Sequence, residues 1–472
     1  MSFGRFSDNV DRGFVCVIRE LPEAPQPTSQ RELVPAHHAN YDSLTGMPTR
    51  SLFMDRLAQA MASATRGRGR LGIMLIDLAG YGGVGERYGP EIETTALLAT
   101  ADRLSRCVRP YDTVARMGED RFAILMPSLE ESGNAILVGG RILDSFREPA
   151  VFSGHDVVLS PAIGISLYPD DGPDAGVLLE AAEAAMHEAR SLDKAAFRFH
   201  AEDLNHEAED RREIWRALSK ALARDEFHLR FQPRIDIKTR QVTAFEALLR
   251  WTSRDLGQVG PARFIPALEE VGLMGQVGDL TIELACRQLA EWNRDGHRRV
   301  RMAINVSDRQ LRHPGFVSSL RETLARTGAD PRRIDLEITE EMLLRNAESY
   351  LSALWELREM NVNLTMDDFG SGYSSLSNLR RFPIQSLKID RFFVSESTRG
   401  SEGIDLVNAI VSMGHSLGRK VVAMGVETEE QLNVLWHCGC DEAQGNLIAF
   451  PLPASEASEM LLAGTWHNRL SR

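Results

Sequence analysis

Cysteine is scarce in this chain of 472 residues, with five in all, Cys16, Cys107, Cys286, Cys438 and Cys440. An odd and scattered set excludes an obligatory disulfide framework. Cys438-Gly439-Cys440 is spaced too closely for a zinc or redox CxxC element and reads as helix-to-strand packing. Long apolar runs are missing as well. No stretch approaches the roughly 18 residues of a membrane span, and MSFGRFSDNVDRGF has no signal-peptide core, so a cytoplasmic protein is expected. Positive charge is in deficit, 54 Lys and Arg against 67 Asp and Glu, for a net charge of −13. That balance offers no global attraction to a nucleic acid polymer. The basic run Arg66-Gly67-Arg68-Gly69-Arg70 reads as a solvated turn before a strand, and His37-His38 as linker without partner ligands nearby. Otherwise the usage is ordinary for a globular chain, 43% hydrophobic and 26% charged, and the length allows two or three domains with cores of their own.

What the second half does contain is a series of oxygen-bearing side chains that each close a short apolar run. Glu246 lies in TAFEALLRW, Asn305 in VRMAINVS, Glu337 in IDLEIT, and Asp367 and Asp368 in VNLTMDDFGSGYSSL; SLKID follows, with Lys388 and Asp390. Gaps of roughly 20 to 60 residues, long enough for a helix, predict a (β/α)8 barrel whose strand ends converge on one pocket. An all-oxygen donor set without His or Cys suits Mg2+ or Mn2+. Any one of these residues alone would more often be a helix cap or a surface carboxylate.

Glu246-Ala247-Leu248-Leu249-Arg250-Trp251, Asn305-Val306-Ser307, Glu337-Ile338-Thr339-Glu340, Asp367-Asp368-Phe369-Gly370-Ser371-Gly372-Tyr373-Ser374-Ser375-Leu376 and Leu387-Lys388-Ile389-Asp390-Arg391 resemble, in order and spacing, the EAL family of cyclic di-GMP phosphodiesterases. The resemblance runs from about Arg212 to about Ala463. It implies a TIM-like barrel that binds cyclic di-GMP and, in competent members, hydrolyses it to pGpG with two metal ions. It assigns Glu246, Asn305, Glu337 and Asp367 to the first metal, Asp368 to the second, and Lys388 to polarising the attacking water or the scissile phosphate. Gln232 and Arg250, with Leu248, Asp368 and Gln444, are implied ligand contacts, and Asp390 and Glu427 stand on the catalytic side. Two cations about 3.5 to 4 Å apart clamp the entering and leaving oxygens of an in-line displacement.

One departure weighs on the chemistry. In Val421-Val422-Ala423-Met424-Gly425-Val426-Glu427 the family's first glutamate, which holds the second metal and its water, is Met424. A thioether is a poor ligand for a hard cation and no base. Glu427, three residues on, is the nearby carboxylate that would have to substitute, at a position the family uses to brace a loop. Asn446 and Phe450 also replace an aromatic and a basic residue on this rim. The expectation is a barrel that binds cyclic di-GMP with slow or no hydrolysis, acting as regulator or receptor. The alternatives are a working phosphodiesterase regulated by the first half, and a scaffold that has lost ligand binding.

The first half resembles GGDEF domains, the diguanylate cyclase family. Tyr41-Asp42-Ser43-Leu44-Thr45-Gly46-Met47-Pro48-Thr49-Arg50, Leu75-Ile76-Asp77 and Gly164-Ile165-Ser166-Leu167-Tyr168-Pro169 carry the likeness, but the signature reads Gly118-Glu119-Asp120-Arg121-Phe122. Glu119 brings negative charge toward a triphosphate where glycine would let the backbone approach, and Arg121 reverses the sign of an acidic position. Asp77 and Asp120 keep the metal positions, whereas the guanine-reading and phosphate-facing positions fall on Gly85, Thr94 and Gly82. No cyclase activity is expected. Arg109-Pro110-Tyr111-Asp112 stands where the family carries an RxxD site for cyclic di-GMP, with Arg109 and Asp112 as its contacts; Asp112 also has an ordinary job leading into the next strand.

The expected organisation is a lead-in and linker over 1–40, a degenerate GGDEF domain of α/β sandwich type (the nucleotide-cyclase palm) over 41–200, a helical connector over 201–222 and the EAL barrel over 212–465. The connector's Ile214, Leu218 and Leu222 should dock on the barrel. In the EAL family that this half resembles, the loop from Asp368 to Leu376 lies near the metals and the dimer contact, so the resemblance implies a homodimer through the barrel, and a receptor role implies a protein effector as partner.

Overall fold

The computed structural model describes residues 40–464 and 466, apart from 153–154, 193, 346, 371–379 and 399. The lead-in with Cys16 and His37-His38, and the part of the loop from Ser371 to Leu376 on which the homodimer expectation rests, lie outside the described residues. The chain divides into two compact units, Met1–Glu209 and Asp210–Arg472.

The first unit contains strands β1 (Arg70–Ala79), β2 (Thr113–Arg116), β3 (Arg121–Leu129), β4 (Ala150–Phe152), β5 (His155–Val157), β6 (Ser160–Tyr168) and β7 (Ala196–Phe199). Five form a sheet in the order β2-β3-β1-β6-β7, and β4 pairs with β5 separately. The central β1 is apolar at nearly every position because both its faces are covered. One face packs Leu71 and Ile73 with Phe53, Leu57, Leu178 and Ala182 from helices Arg50–Gly67 and Ala175–Arg190. Helix Ala175–Arg190 comes so near β6 that a Cβ at Gly164 would lie 1.9 Å from the carbonyl oxygen of Ala182, so only glycine fits there.

The second unit contains β8 (Phe227–Asp236), β9 (Val242–Ser253), β10 (Gly257–Val259), β11 (Arg301–Asn305), β12 (Ile334–Thr339), β13 (Asn363–Phe369), β14 (Ser386–Ile389), β15 (Lys420–Ala423) and β16 (Glu442–Gln444). The order β9-β11-β12-β13-β14-β15-β16-β8 closes on itself through the β8–β9 pairing, giving an eight-strand barrel with β10 as a flap on β9. Seven barrel strands run parallel and β8 runs antiparallel to both neighbours. The physical reason is chain length. Only residues 237–241 separate β8 from β9, too few for a crossover helix, so the pair can only form a hairpin. The turn is set by Asp236, whose carboxylate accepts the Thr239 N–H at 2.7 Å, and by Arg240 at φ 59°.

Outward-facing strand residues pack against the helical layer, with the Trp292 ring against Phe231 and Phe245. Helix Glu202–Ala221 has apolar residues at helical spacing, and Ile214, Ala217, Leu218 and Ala221 dock on Phe227, Trp251, Phe264 and Leu268. Leu222, just past the helix, packs beside them. Among the described residues no helix is long and apolar enough to cross a membrane.

Candidate functional site

Side chains alternate along a strand, so every second residue of a barrel strand points inward. The inward positions nearest the C-terminal ends of the parallel strands carry Glu246, Asn305, Glu337, Asp367 and Lys388. Glu246 departs from a simple strand-end reading: it is the fifth residue of a twelve-residue strand. The barrel wall nevertheless finishes beside it, because β9 pairs with β11 only from Ala244 to Ala247 and then continues as the hairpin with β8.

The Lys388 ammonium is the hub. Its Nζ lies 2.6 Å from Glu337 Oε2, 2.9 Å from Glu246 Oε2 and 3.4 Å from Asp367 Oδ2, and the side chain is 1% exposed. Glu246 also accepts from Asn305 Nδ2 at 2.8 Å and from Gln444 Nε2 at 2.6 Å. Burial pushes the Glu246 carboxyl up, but the Lys388 charge and these hydrogen bonds win and hold it at about 2. Glu337 goes the other way: burial, together with the Glu246 and Asp367 charges, raises it against the pull of Lys388 and Arg234. Lys388 is raised, because three carboxylates outweigh its burial. Asp368 lies within β13, where the register with β14 shifts between Met366 and Phe369, and takes φ 54°, a left-handed conformation that Asp tolerates. Burial first, then the neighbouring Asp367 charge, lifts it to about 6.

Beneath this set lies a layer the sequence reading missed. Arg234 is 0% exposed and donates to Glu337 Oε1 at 2.6 Å, with Asp335 at 3.8 Å and Glu442 at 3.9 Å; Arg301 bridges Asp335 and Glu442. Each member of this layer except Arg301 stands two residues from a residue already singled out: Arg234 from Gln232, Asp335 from Glu337, Glu442 from Gln444. The strand period of two was the signal. The lower layer balances internally, two arginines against two carboxylates. The upper layer sets three carboxyl groups against one ammonium, and a divalent ion would offset the negative excess that raises Glu337. Its donors are all oxygen, and Gln444 Oε1 and Thr365 Oγ1 are buried acceptors without a protein partner. This donor set fits a hard divalent cation. Among the described residues no three acidic, His or Cys side chains form a ready metal cage; the carboxylates gather on the ammonium instead.

The remaining expected residues fall around the mouth. Gln232 accepts from Gln444 Nε2 at 3.2 Å and donates to the Ala449 carbonyl at 3.2 Å. Leu248 and Arg250 follow Glu246 outward on the same face of β9, and Arg250 donates to the Leu249 carbonyl at 2.8 Å. Met424 comes directly after β15, its N–H donating to the Ile389 carbonyl at 3.3 Å, at the same barrel end as Lys388. Asp390 is engaged as a cap, accepting the Phe392 N–H at 2.7 Å at the start of helix Arg391–Glu396. Glu427 is exposed, and its N–H bonds Gln431 Oε1 ahead of helix Glu429–His437. Among the described residues no hydrogen bond or ion pair joins Asp390 or Glu427 to the Lys388 cluster.

In the first unit, Asp77 is 2% exposed and paired with Arg190 at 2.6 Å, while Arg121 bridges Glu183 at 3.2 Å. Asp120 accepts the Leu78 N–H at 3.2 Å through its backbone carbonyl, and Glu119 is exposed. A Cβ on Gly85 would lie 2.3 Å from Glu93 Oε2, so a carboxylate already fills the space a side chain would take there. Asp112 accepts the Arg109 N–H at 2.8 Å and closes the turn before β2, while the Arg109 guanidinium reaches Asn134 Oδ1 at 3.5 Å.

Residues 215–451 match the EAL domain family, and residues 39–195 match "Diguanylate cyclase, GGDEF domain". The chain is 37% identical over 428 residues to the bifunctional diguanylate cyclase/cyclic di-GMP phosphodiesterase MucR of Pseudomonas aeruginosa, over 91% of this chain and 62% of that protein. It is 34% identical over 426 residues to the cyclic di-GMP phosphodiesterase NbdA of the same organism, over 90% of this chain and 54% of that protein. The chain thus spans a little over half the length of these curated relatives. Among solved structures it is similar to a MucR phosphodiesterase in complex with c-di-GMP, at 39% identity and a TM-score of 0.50, over 52% of this chain and 99% of that one. It is also similar to the EAL enzyme Bd1971 in its cAMP- and cyclic-di-GMP-bound form, at 25% identity and a TM-score of 0.51, over 65% of this chain and 82% of that one.

Proposed function

The chain belongs to the EAL domain family, with a GGDEF match ahead of the barrel, and on that premise we propose that its barrel binds cyclic di-GMP and hydrolyses it slowly or not at all. Its output is then a contact with a protein effector, made or lost on ligand binding. Met424 carries this reading. It stands at the end of β15 on the Lys388 side of the mouth, where a carboxylate would hold a second cation and its water, and a thioether does neither.

On the intact side, Glu246, Asn305, Glu337 and Asp367 would hold the first Mg2+ or Mn2+, with Asp368 left for a second. A bound cation would supply Lewis-acid charge to the phosphodiester. The protein's own contribution is binding and orientation: the Lys388 ammonium stays charged beside the reacting phosphate, the Gln232 and Gln444 amides offer the ligand a donor and an acceptor, and the Arg250 guanidinium meets a phosphate. For the GGDEF domain, the Asp77–Arg190 and Arg121–Glu183 pairs and the Glu93 carboxylate against Gly85 support a domain without cyclase activity.

A second reading is favoured by one observation, the 39% identity to the MucR phosphodiesterase structure. On it the barrel is a working phosphodiesterase regulated by the GGDEF domain. Met424→Glu separates the two. A positioned base is typically worth roughly 10²- to 10⁴-fold in rate, so a rise of that order in pGpG formation is expected if the natural chain is impaired. An unchanged rate on an already active chain would sink the receptor reading.

A further inference from the structure

The β8–β9 hairpin carries a second set of charges outward from the cluster. Directly opposed residues of an antiparallel pair share a face, so Gln232 with Glu246, Arg230 with Leu248 and His228 with Arg250 form one stripe leading out of the barrel. The other face of the hairpin is closed, with Phe227 and Trp251 buried against Phe264. Arg230, Arg250 and His228 are each partly buried, and among the described residues none has a carboxylate partner. Their charges oppose one another. Burial, then Arg230, depresses Arg250, and burial with both arginines depresses His228. Arg230 and Arg250, two partly buried guanidiniums without an ion-pair partner among the described residues, are relieved by an anion, and the uncharged His228 ring beside them can donate a hydrogen bond to it.

We propose that Arg230, with Arg250 and His228, forms a phosphate subsite at the outer edge of the barrel pocket. The proposal rests on reading the barrel as a cyclic di-GMP pocket with Arg250 at a phosphate, and adds Arg230 and His228, which no motif names. A cyclic dinucleotide carries two phosphodiesters on opposite sides of its ring. The inner cluster takes one, and Lys388 is already surrounded by three carboxylates, so the second phosphate needs cations elsewhere. Paired guanidiniums supply forked donors that match phosphate oxygens.

The test uses the full chain with Ca2+ in place of Mg2+, and calorimetric titration of cyclic di-GMP at two salt concentrations. Arg230→Met is expected to weaken binding by roughly 10- to 100-fold and to flatten its salt dependence, with Arg230→Lys recovering part of both. Affinity within about twofold of wild type and an unchanged salt slope in Arg230→Met would overturn the subsite. Ligand-free melting of both variants controls for folding. If the wild-type chain binds no cyclic di-GMP, the pocket reading fails, and the subsite is then read with pyrophosphate alone. A wild-type melting rise that Arg230→Met abolishes supports it; no rise, or an equal rise in the variant, overturns it.

Discussion

Replacing Lys388 with methionine removes the one ammonium on which Glu246, Glu337 and Asp367 converge, in a site where the side chain is 1% exposed. Methionine keeps much of the volume, so the change is chiefly electrostatic. Three carboxylates are left facing one another, with Asn305, Gln444, Arg234 and the Asp368 N–H among the remaining donors. Breaking a buried pair by deleting one partner costs about 3–5 kcal/mol. In a unit of this size each kcal/mol moves the midpoint by about 2–4 °C, so in EDTA the barrel should melt on the order of 10 °C below wild type. A divalent cation supplies charge where the ammonium was, and at 100 times its Kd a ligand stabilises by about 2.7 kcal/mol. Thermal melting in EDTA and in Mg2+ or Mn2+ reads both effects, and the cation should raise the variant's midpoint more than the wild type's. A variant melting within about 2 °C of wild type in EDTA, or gaining no more from the cation, would refute the view of Lys388 as the charge that the cluster is built around.

Two further outcomes follow from the same physics. The full chain supplied with GTP and Mg2+ should form no cyclic di-GMP, and Gly85→Asn should not restore synthesis because Glu93 fills the space beside residue 85; detectable synthesis by either would contradict the reading of Arg121 and Glu119. Burial pushes the Cys286 thiol up to about 12 and raises Cys440 as well. At pH 8 only about one part in ten thousand of Cys286 is thiolate, so both cysteines should resist a thiol reagent until denaturant is added, and labelling of Cys286 should quicken as pH rises toward 12. Stoichiometric labelling of native Cys440 at pH 8 would reopen a redox role for Cys438-Gly439-Cys440.

The barrel was legible because its strands are short apolar runs broken by charged residues in an order that helices can separate. Two parts were less so. The antiparallel course of β8 was not anticipated; the brevity of residues 237–241, which permits only a hairpin, was the overlooked cue. The lower charge layer escaped because Arg234, Asp335 and Glu442 each look like an isolated polar residue until the strand period of two is carried one step below the motif residues. Lys388 was expected to serve the phosphate, and its place as the hub of three carboxylates depends on curvature that brings β9, β12, β13 and β14 to one axis, which no local pattern encodes. Asp390 illustrates the opposite difficulty: a carboxylate just past a strand is equally suited to open a helix, and the hydrogen bond from Phe392 N–H to Asp390 is of that kind.

The central claim, binding without turnover, is tested most directly by one time course on the purified full chain with cyclic di-GMP and Mg2+ or Mn2+, following bound ligand and pGpG together. The account expects tight, saturable binding with pGpG absent or accumulating only slowly. Rapid pGpG formation would contradict it, and would mean that the chain activates water without a carboxylate at position 424.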